Sequence, residues 1–468
     1  MSRRTGRSRK RTSKRRKASL PPGLEKVNLH AAGIDVASGI HDVAVPPGSS
    51  PDGEGVKEFD AFTRDLHEIV RWLEECGVTT VAMESTGVYW IPLYELLESE
   101  GFEVHLVDPR RLKHVPGRKT DILDCQWIQQ LHTFGLLSGG FRPNQEICAL
   151  RAYVRQRAML VEYASHHIQH IHKALEQMNI KLKKVITEVT GVTGLKIIRS
   201  IIEGERDPNR LAALRNHQCK SDEGTIAKSL QGTWRNEHLF ALKQAVDLYD
   251  TFQEKIKECD RSIEEYIDTL DDADTRHDHG APVGTYRRRN EPHFNAQTAL
   301  HRISGVDLTR IEGIDGNSAL KIISEIGTDV SAWPTVKNFT SWTSLCPGNN
   351  KTGGRNRSGR TAPSSNRVAE TLRLCARSLW NSHSALGAYL RRMAARKGMP
   401  KAITAAAHKL ARMVYFMLKH GTDYVVRSQE EYERQHRERQ IKNLHRRAAQ
   451  LGFEVKELPS WQSLTVNA

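Results

Sequence analysis

The stretch VNLHAAGIDVASGIHDVAV, residues 27–45, decides how the first part of the chain folds. Its apolar and β-branched runs, 27–36 and 41–45, read as strands, and the runs 78–83 and 103–107 have the same character. A helical pattern at 88–100 separates the last two. The segment therefore reads as an α/β domain that closes at Pro143 and Asn144. Asp35 falls inside the first strand, where an acid is costly unless it has a task, and Glu84 directly follows the run 78–83. Asp121 and Asp124 stand three apart in KTDILD, residues 119–124, at the start of a helix that continues through Trp127, Ile128 and Leu131. That spacing puts both on one helix face. Asp42 and Asp108 also lie near strand ends and read as structural.

Four carboxylates from two strands and a helix can serve one site. Hard divalent cations take oxygen ligands, and a pair of them about 3.5–4 Å apart stabilises both the entering and the leaving oxygen at phosphorus. The simpler readings are that Asp121 is a favourable first-turn acid and Asp124 a solvated one; Asp35 and Glu84 have no such easy explanation.

The chain as a whole is basic, with 70 Lys and Arg against 55 Asp and Glu among 468 residues. The excess is concentrated. Residues 1–18 hold ten Lys and Arg and no acid, and residues 330–422 hold sixteen with Glu370 as the single acid, so the remainder of the chain is net acidic. A polyanion held on two basic segments fits this pattern, although an arm such as 1–18 also reads simply as a solvated tail. No apolar run approaches the roughly 20 residues of a membrane span, and no apolar signal core follows the basic start. The seven cysteines form no CxxC pair, which suits a reducing compartment.

From Glu146 the pattern turns helical. Apolar residues recur every seven positions at Leu242, Tyr249, Ile256, Ile263 and Leu270, with Ala245, Phe252, Cys259 and Tyr266 three further on. This seam serves either a helical hairpin within the chain or a dimerising coiled coil. Residues 271–295 are polar and read as a linker or insertion. A further domain begins near Leu300 and ends in a helix whose stripe is Ile403, Ala407, Leu410, Val414 and Met417, with Lys401, Lys409, Arg412 and Lys419 around it. Beyond Gly421, residues 428–450 read as a charged, exposed helix.

Two segments of this last domain carry phosphate-binding chemistry. Residues 309–327, TRIEGIDGNSALKIISEIG, read as a helix, a turn holding Gly313 and Gly316, and a second helix capped by Asn317 and stopped by Gly327. Such a helix-hairpin-helix offers backbone N–H groups to a nucleic-acid backbone; an ordinary αα-hairpin is the plainer reading. Residues 346–361, CPGNNKTGGRNRSGRT, pack four glycines, Lys351, Arg355, Arg357 and Arg360 into a loop without an acid. Arginine clamps phosphate bidentately, and Thr352 and Ser358 are hydroxyls able to attack phosphorus if activated or simply to bond it.

The ordered set GID (33–35), MESTG (83–87), KTDILD (119–124), PGNNKTGG (347–354) and PKAITAAAHKLAR (400–412) resembles the DEDD-type insertion-sequence transposases over about residues 27–421. These are bridge-RNA-guided recombinases. The resemblance implies an α/β RNase H-like (RuvC-like) N-terminal domain (27–145) after a basic disordered arm (1–26). It further implies a helical coiled-coil middle (146–270) and a mostly α C-terminal transposase domain with a helix-hairpin-helix-like segment (300–421), and the residues themselves read as a linker or insertion between these (271–299) and a charged helical tail after them (422–468). Carried onto this chain, the acidic tetrad falls on Asp35, Glu84, Asp121 and Asp124, expected to bind Mg²⁺. The position matching the family's nucleophilic serine is Thr352, with Ser358 as the alternative. Lys351, Arg355, Arg357, Arg360, Gly313, Gly316, Lys401, Lys409 and Arg412 are the expected nucleic-acid contacts. Donor and target DNA, a noncoding bridge RNA and a second copy of the chain (dimer or tetramer) are the implied partners, in a prokaryotic, nucleoid-associated setting. A RuvC-like junction-resolving endonuclease and a catalytically inactive nucleic-acid-binding descendant are the rival readings.

Overall fold

The computed structural model describes residues 25–85, 87–108, 121–137, 139–273, 290–348, 350–353 and 355–455, with backbone alone at 121–123, 350–352, 355–358, 423–430 and 432. Almost all of the basic arm and most of the polar stretch 271–295 lie outside the described residues. The chain forms two compact units, Met1–Arg142 and Pro143–Ala468.

The first unit is built on a five-stranded mixed sheet of β1 (Ala31–Val36), β2 (Ile40–Ala44), β3 (Val56–Asp60), β4 (Thr80–Glu84) and β5 (Glu103–Val107), in the order β3-β2-β1-β4-β5. Strands β1, β2 and β3 form an antiparallel meander, while β4 runs parallel to β1 and β5 parallel to β4. This arrangement is compatible with the RNase H-like domain expected from sequence. Side-chain alternation divides the sheet. Ala32, Ile34, Val36, Val81 and Met83 pack with Ile69, Val70 and Leu73 of α1 (Thr63–Glu75) and Leu93 and Leu97 of α2 (Trp90–Ser99). The opposite face, through Ala82 and Val107, packs with Ile128 and Leu131 of α3 (Asp121–Thr133). Strand β3 and helix α1 are additions to the sequence reading. Strand β3, VKEFD, sits at the sheet edge with a charged, half-exposed pattern, which is what an edge strand carries.

Among its described residues the second unit is helical apart from one small hairpin. Its long helices α4 (Gln145–Gln177) and α9 (Asn236–Asp268) bracket the short helices α5 (Leu182–Val185), α6 (Val192–Glu203), α7 (Pro208–Ala212) and α8 (Glu223–Ser229). There follow α10 (Ala296–Ser304), a 3-10 turn (Leu308–Arg310), α11 (Gly316–Ile326), α12 (Val336–Trp342), strands β6 (Asn350–Thr352) and β7 (Arg355–Ser358), α13 (Arg367–Ser378), α14 (Ala385–Lys397), α15 (Met399–His420) and α16 (Thr422–Gln450).

The heptad seam is satisfied inside the chain. Leu242, Ala245, Val246, Tyr249 and Ile256 of α9 share one buried cluster with Ala164, Ile171, Ala174 and Leu175 of α4. Cys259 and Tyr266 follow on the same side, bonding the Tyr153 and Glu146 carbonyls. Leu270 falls beyond the helix end. Of the two uses the spacing allowed, the structure has the intramolecular hairpin.

A buried ionic cluster joins that hairpin to the following helices. Arg157 of α4, 3% exposed, pairs with Asp260 of α9, 1% exposed. Asp260 also accepts from the backbone N–H of His293 at 3.0 Å and contacts its Nδ1 at 2.6 Å. Arg157 donates further to Asn317 Oδ1 and to the Asn290 carbonyl. Arg155 makes a two-armed pair with Glu325 at 2.8 Å. Charges as deep as those of Arg157 and Asp260 persist only when fully partnered. Asp260→Ala is expected to strand the Arg157 charge and cost about 3–5 kcal/mol, read as a lower denaturant midpoint.

In the first unit His132 is buried, its Nε2 2.9 Å from Thr80 Oγ1 and its ring 4.9 Å from that of His105. Burial first, and then the charge of His105, lower its pKa to about 4. The unfolded chain takes up this proton near pH 6.5, so between pH 6.5 and 4 the unfolded state binds more protons than the folded one. Stability is expected to fall as pH drops through that window, by on the order of 3 kcal/mol in total, and to level off below it. Denaturation at stepped pH should show a flatter profile for His132→Gln.

Candidate active site

Asp35 is the fifth residue of β1 and Glu84 the last of β4. The two strands are parallel neighbours, with Gly33 opposite Ala82 and Ile34 opposite Met83. One more step of that register sets Asp35 beside Glu84, at the roughly 4.8 Å spacing of adjacent strands and on one face of the sheet. On the other side of β1, Asp42 of β2 is the antiparallel partner of Asp35 and faces the same way. Three acids therefore stand in a row across β2, β1 and β4. The sequence reading set Asp42 aside as structural, because its proximity to Asp35 depends on a strand register that spacing along the chain does not reveal.

Helix α3 lies over this row. Its Thr133 carbonyl accepts from the N–H groups of Val27 and Asn28, just ahead of β1, and its middle passes above Gly33. A Cβ on Gly33 would stand 2.2 Å from the Gln129 nitrogen and 2.4 Å from the Cys125 oxygen. The helix thus runs opposite to β1, and its start lies over the strand end that carries Asp35. Asp124, 8% exposed, belongs to that first turn; Asp121 opens the helix, its side chain outside the described residues. Glu84 is buried as well, at 6%. The Cys125 thiol reports the local charge: burial first, and then the negative charges of Asp42 and Asp35, push its pKa up to about 12, so it stays protonated.

The donor set is all carboxylate, the chemistry that Mg²⁺ or a similar hard cation prefers. Neighbouring acids in a partly buried setting repel one another, and a divalent cation is the natural compensation. Among the described residues no three His, Cys, Asp or Glu side chains already gather as an ion-holding group. Donor type and strand register, and not a preformed cage, are what fit a metal here. Asp108, just past β5, is exposed.

The Gly/Arg segment of the second unit, read from sequence as a loop, is a two-stranded hairpin. Thr352 pairs with Arg355 and Lys351 with Asn356 across a two-residue turn in which Gly353 has φ +58°. That left-handed value is one glycine adopts freely. The Gly348 N–H bonds the Arg360 carbonyl at 3.1 Å and closes the base. Thr352 therefore sits on the strand beside the tip, and Ser358 ends the second strand; their side chains, with those of Lys351, Arg355 and Arg357, lie outside the described residues.

The 309–327 segment differs from its sequence reading in two ways. A 3-10 turn replaces the first helix, and α11 is capped by Asp315, which accepts from the Ser318 N–H at 2.8 Å. Asn317 instead bonds Arg157. Asp315 has the extended backbone a cap requires, which Asn317, inside the helix, does not. A Cβ on Gly313 would meet the Cys375 carbonyl at 2.9 Å, so this glycine is needed for packing on α13. Gly316 opens α11. On α15, Lys401 and Arg412 are exposed, and Lys409 lies over the Tyr389 ring at 4.2 Å. The stripe Ala407, Leu410, Val414 and Met417 is fully buried, while Ile403 is half-buried.

Residues 32–180 match the family model of DEDD transposases of IS110 type, described as Transposase, and residues 307–391 match the model described as Transposase IS116/IS110/IS902 family. The chain is a DEDD-type IS110-family transposase. No curated protein matches it. The first match contains the four tetrad positions, and the second contains Gly313, Gly316 and the β6–β7 hairpin. The transposase is a phosphoryl-transfer enzyme, with DNA as its substrate. None of its helices, among the described residues, is long and apolar enough to cross a membrane.

Gly33→Ala is expected to drive α3 off β1, since the clash is with backbone. A loss of about 3 kcal/mol or more, the upper end of overpacking costs, should appear in chemical denaturation.

Proposed function

We propose that the transposase cuts and rejoins DNA at the ends of its own insertion sequence in a divalent-metal-dependent reaction. Asp35, Glu84, Asp121 and Asp124 are the residues that would hold Mg²⁺, with Asp42 beside Asp35. The observation that carries this reading is the adjacency of Asp35 and Glu84 on parallel strands beneath the start of α3. Bound Mg²⁺ supplies charge neutralisation at phosphorus and a lowered barrier for attack by a hydroxyl.

The chain's own residues supply the rest. Thr352 attacks a DNA phosphate through its side-chain oxygen, losing its proton to solvent as the new P–O bond forms, and the bond to the departing 3′ or 5′ oxygen breaks, that oxygen taking up a proton from solvent to leave as a hydroxyl; Ser358 is the alternative nucleophile. Threonine in this position keeps the hydroxyl, while its extra methyl restricts χ1. Arg355, Arg357 and Arg360 neutralise the charge that develops on the phosphate. Lys351, Lys401, Lys409, Arg412 and the turn at Gly313 and Gly316 hold the backbone of the nucleic acid without reading its sequence. A structured noncoding RNA that pairs with donor and target DNA would then do the reading. The charge segregation, with sixteen Lys and Arg and one acid in residues 330–422, supports this division of labour. Assembly as a dimer or tetramer belongs to the same reading; the α9 seam does not support it, being filled by α4.

Incubation of the protein with its element's noncoding transcript, matching DNA and Mg²⁺, followed by denaturing electrophoresis with and without protease, tests the proposal. Asp35→Ala is expected to abolish cleavage while DNA retention in a filter assay stays within about twofold. A protease-sensitive DNA adduct lost in Thr352→Ala identifies the nucleophile. Cleavage that persists after both Thr352 and Ser358 are replaced means that water attacks, as in a junction-resolving endonuclease. Binding without cleavage, restored by Thr352→Ser, means a transposase disabled at its nucleophile.

A further inference from the structure

The turn that follows Glu84 carries an exposed apolar pair. Val88 is 66% and Tyr89 46% exposed, although they sit between a buried strand and a helix that packs into the core. Isolated exposed apolar residues need no explanation. These two adjoin the tetrad's own strand and are held in a fixed frame. Ser85 anchors the start of the turn, its N–H and its hydroxyl both donating to the Val107 carbonyl at 3.1 Å. Trp90 Nε1 donates back to the Gly87 carbonyl at 3.2 Å, and the Ile91 N–H to that of Val88. Trp90 in turn packs edge-on against Tyr94, which lies under the Arg142 guanidinium at 4.3 Å.

Gly87 shows where the Tyr89 ring goes. Its φ is +59°, and a Cβ there would lie 3.3 Å from Tyr89 Cε2. The ring is folded back against the glycine, within the turn that leaves the end of β4. Ligands of open sheets with parallel strands bind at the carboxyl ends of those strands, which in this sheet is the end shared by Asp35, Glu84 and the 85–89 turn.

We infer that Tyr89, supported by Val88, is a stacking platform for a DNA base next to the cleaved phosphate. An aromatic face accepts any base, which suits an enzyme whose protein surface need not read sequence. Immobilising one base fixes the adjoining phosphate over the carboxylates, so Tyr89 is a positioning residue for the transfer. The inference rests on the carboxylate site proposed above.

The test uses full-length protein, the noncoding transcript of its element and duplex DNA of the element's end, with 2-aminopurine placed in turn at each position flanking the cut. It is run in the Asp35→Ala background, where binding is read without turnover. Fluorescence at one flanking position is expected to be quenched by the Tyr89-bearing protein, and Tyr89→Ala should restore it and weaken binding about five- to tenfold. Tyr89→Phe and Tyr89→Trp should keep the quenching, and thermal melting of all variants should match, because the side chain is exposed. Equal quenching with Tyr89→Ala overturns the inference, as does a Tyr89→Phe defect as large as that of Tyr89→Ala, which would make the phenol and not the ring the active part. A change in oligomeric state by light scattering, with quenching intact, would overturn it in favour of a protein contact. Cleavage surviving Asp35→Ala would instead remove the carboxylate reading, an outcome separate from the fluorescence result.

Discussion

At Gly33 the backbone of α3 occupies the space where any other residue would place a side chain. Most of the first unit follows from that contact. It lets the helix lie directly on β1, with Cys125 and Gln129 against the strand, and the bonds from Val27 and Asn28 to Thr133 fix its direction. The first turn of α3 consequently meets the end of β1, and Asp124 comes to the face that already bears Asp42, Asp35 and Glu84. A bulkier residue at 33 would separate the acids of the helix from those of the sheet. Gathering acids in this way carries an electrostatic cost, since like charges at strand spacing repel one another.

The second unit solves a different problem. Two 33-residue helices have to be held in one register while the following helices dock on them. Apolar packing gives the hairpin its stability, but a stripe of Leu, Ile and Ala is tolerant of sliding. The cluster of Arg157, Asp260 and His293, with Arg155 on Glu325, is not. Each pair has a single geometry, and a shift by one turn would leave a buried charge alone. Specific register bought with ionic groups is the familiar use of such residues.

Much of this was readable from the chain. The strands carrying Asp35 and Glu84, the helix beginning at Asp121 and the helical character after Glu146 follow from local periodicity, which local sequence encodes well. Strand β3 is hard to read because VKEFD is an exposed edge with no apolar alternation, whereas the stripe Leu66, Ile69, Val70 and Leu73 makes helix α1 legible in the sequence. The adjacency of Asp42 to Asp35 is illegible in the sequence for a related reason, since it is reached only through the sheet. The cap of α11 went to Asp315 and not Asn317 because both residue types favour caps, and backbone geometry decides between them. The α9 seam could not be assigned from sequence, as a heptad serves an internal and an external partner equally.

The Arg157 cluster also orders events in time. Asp260 lies 103 residues after its partner, and Asn317 lies 160 after it. A chain emerging from the ribosome therefore presents the guanidinium of α4 well before Asp260 is made, and its bond to Asn317 can form only later still. Contacts of such long span are slow to form and leave apolar surface open meanwhile. The second unit is thus expected to be the late-maturing half of the molecule.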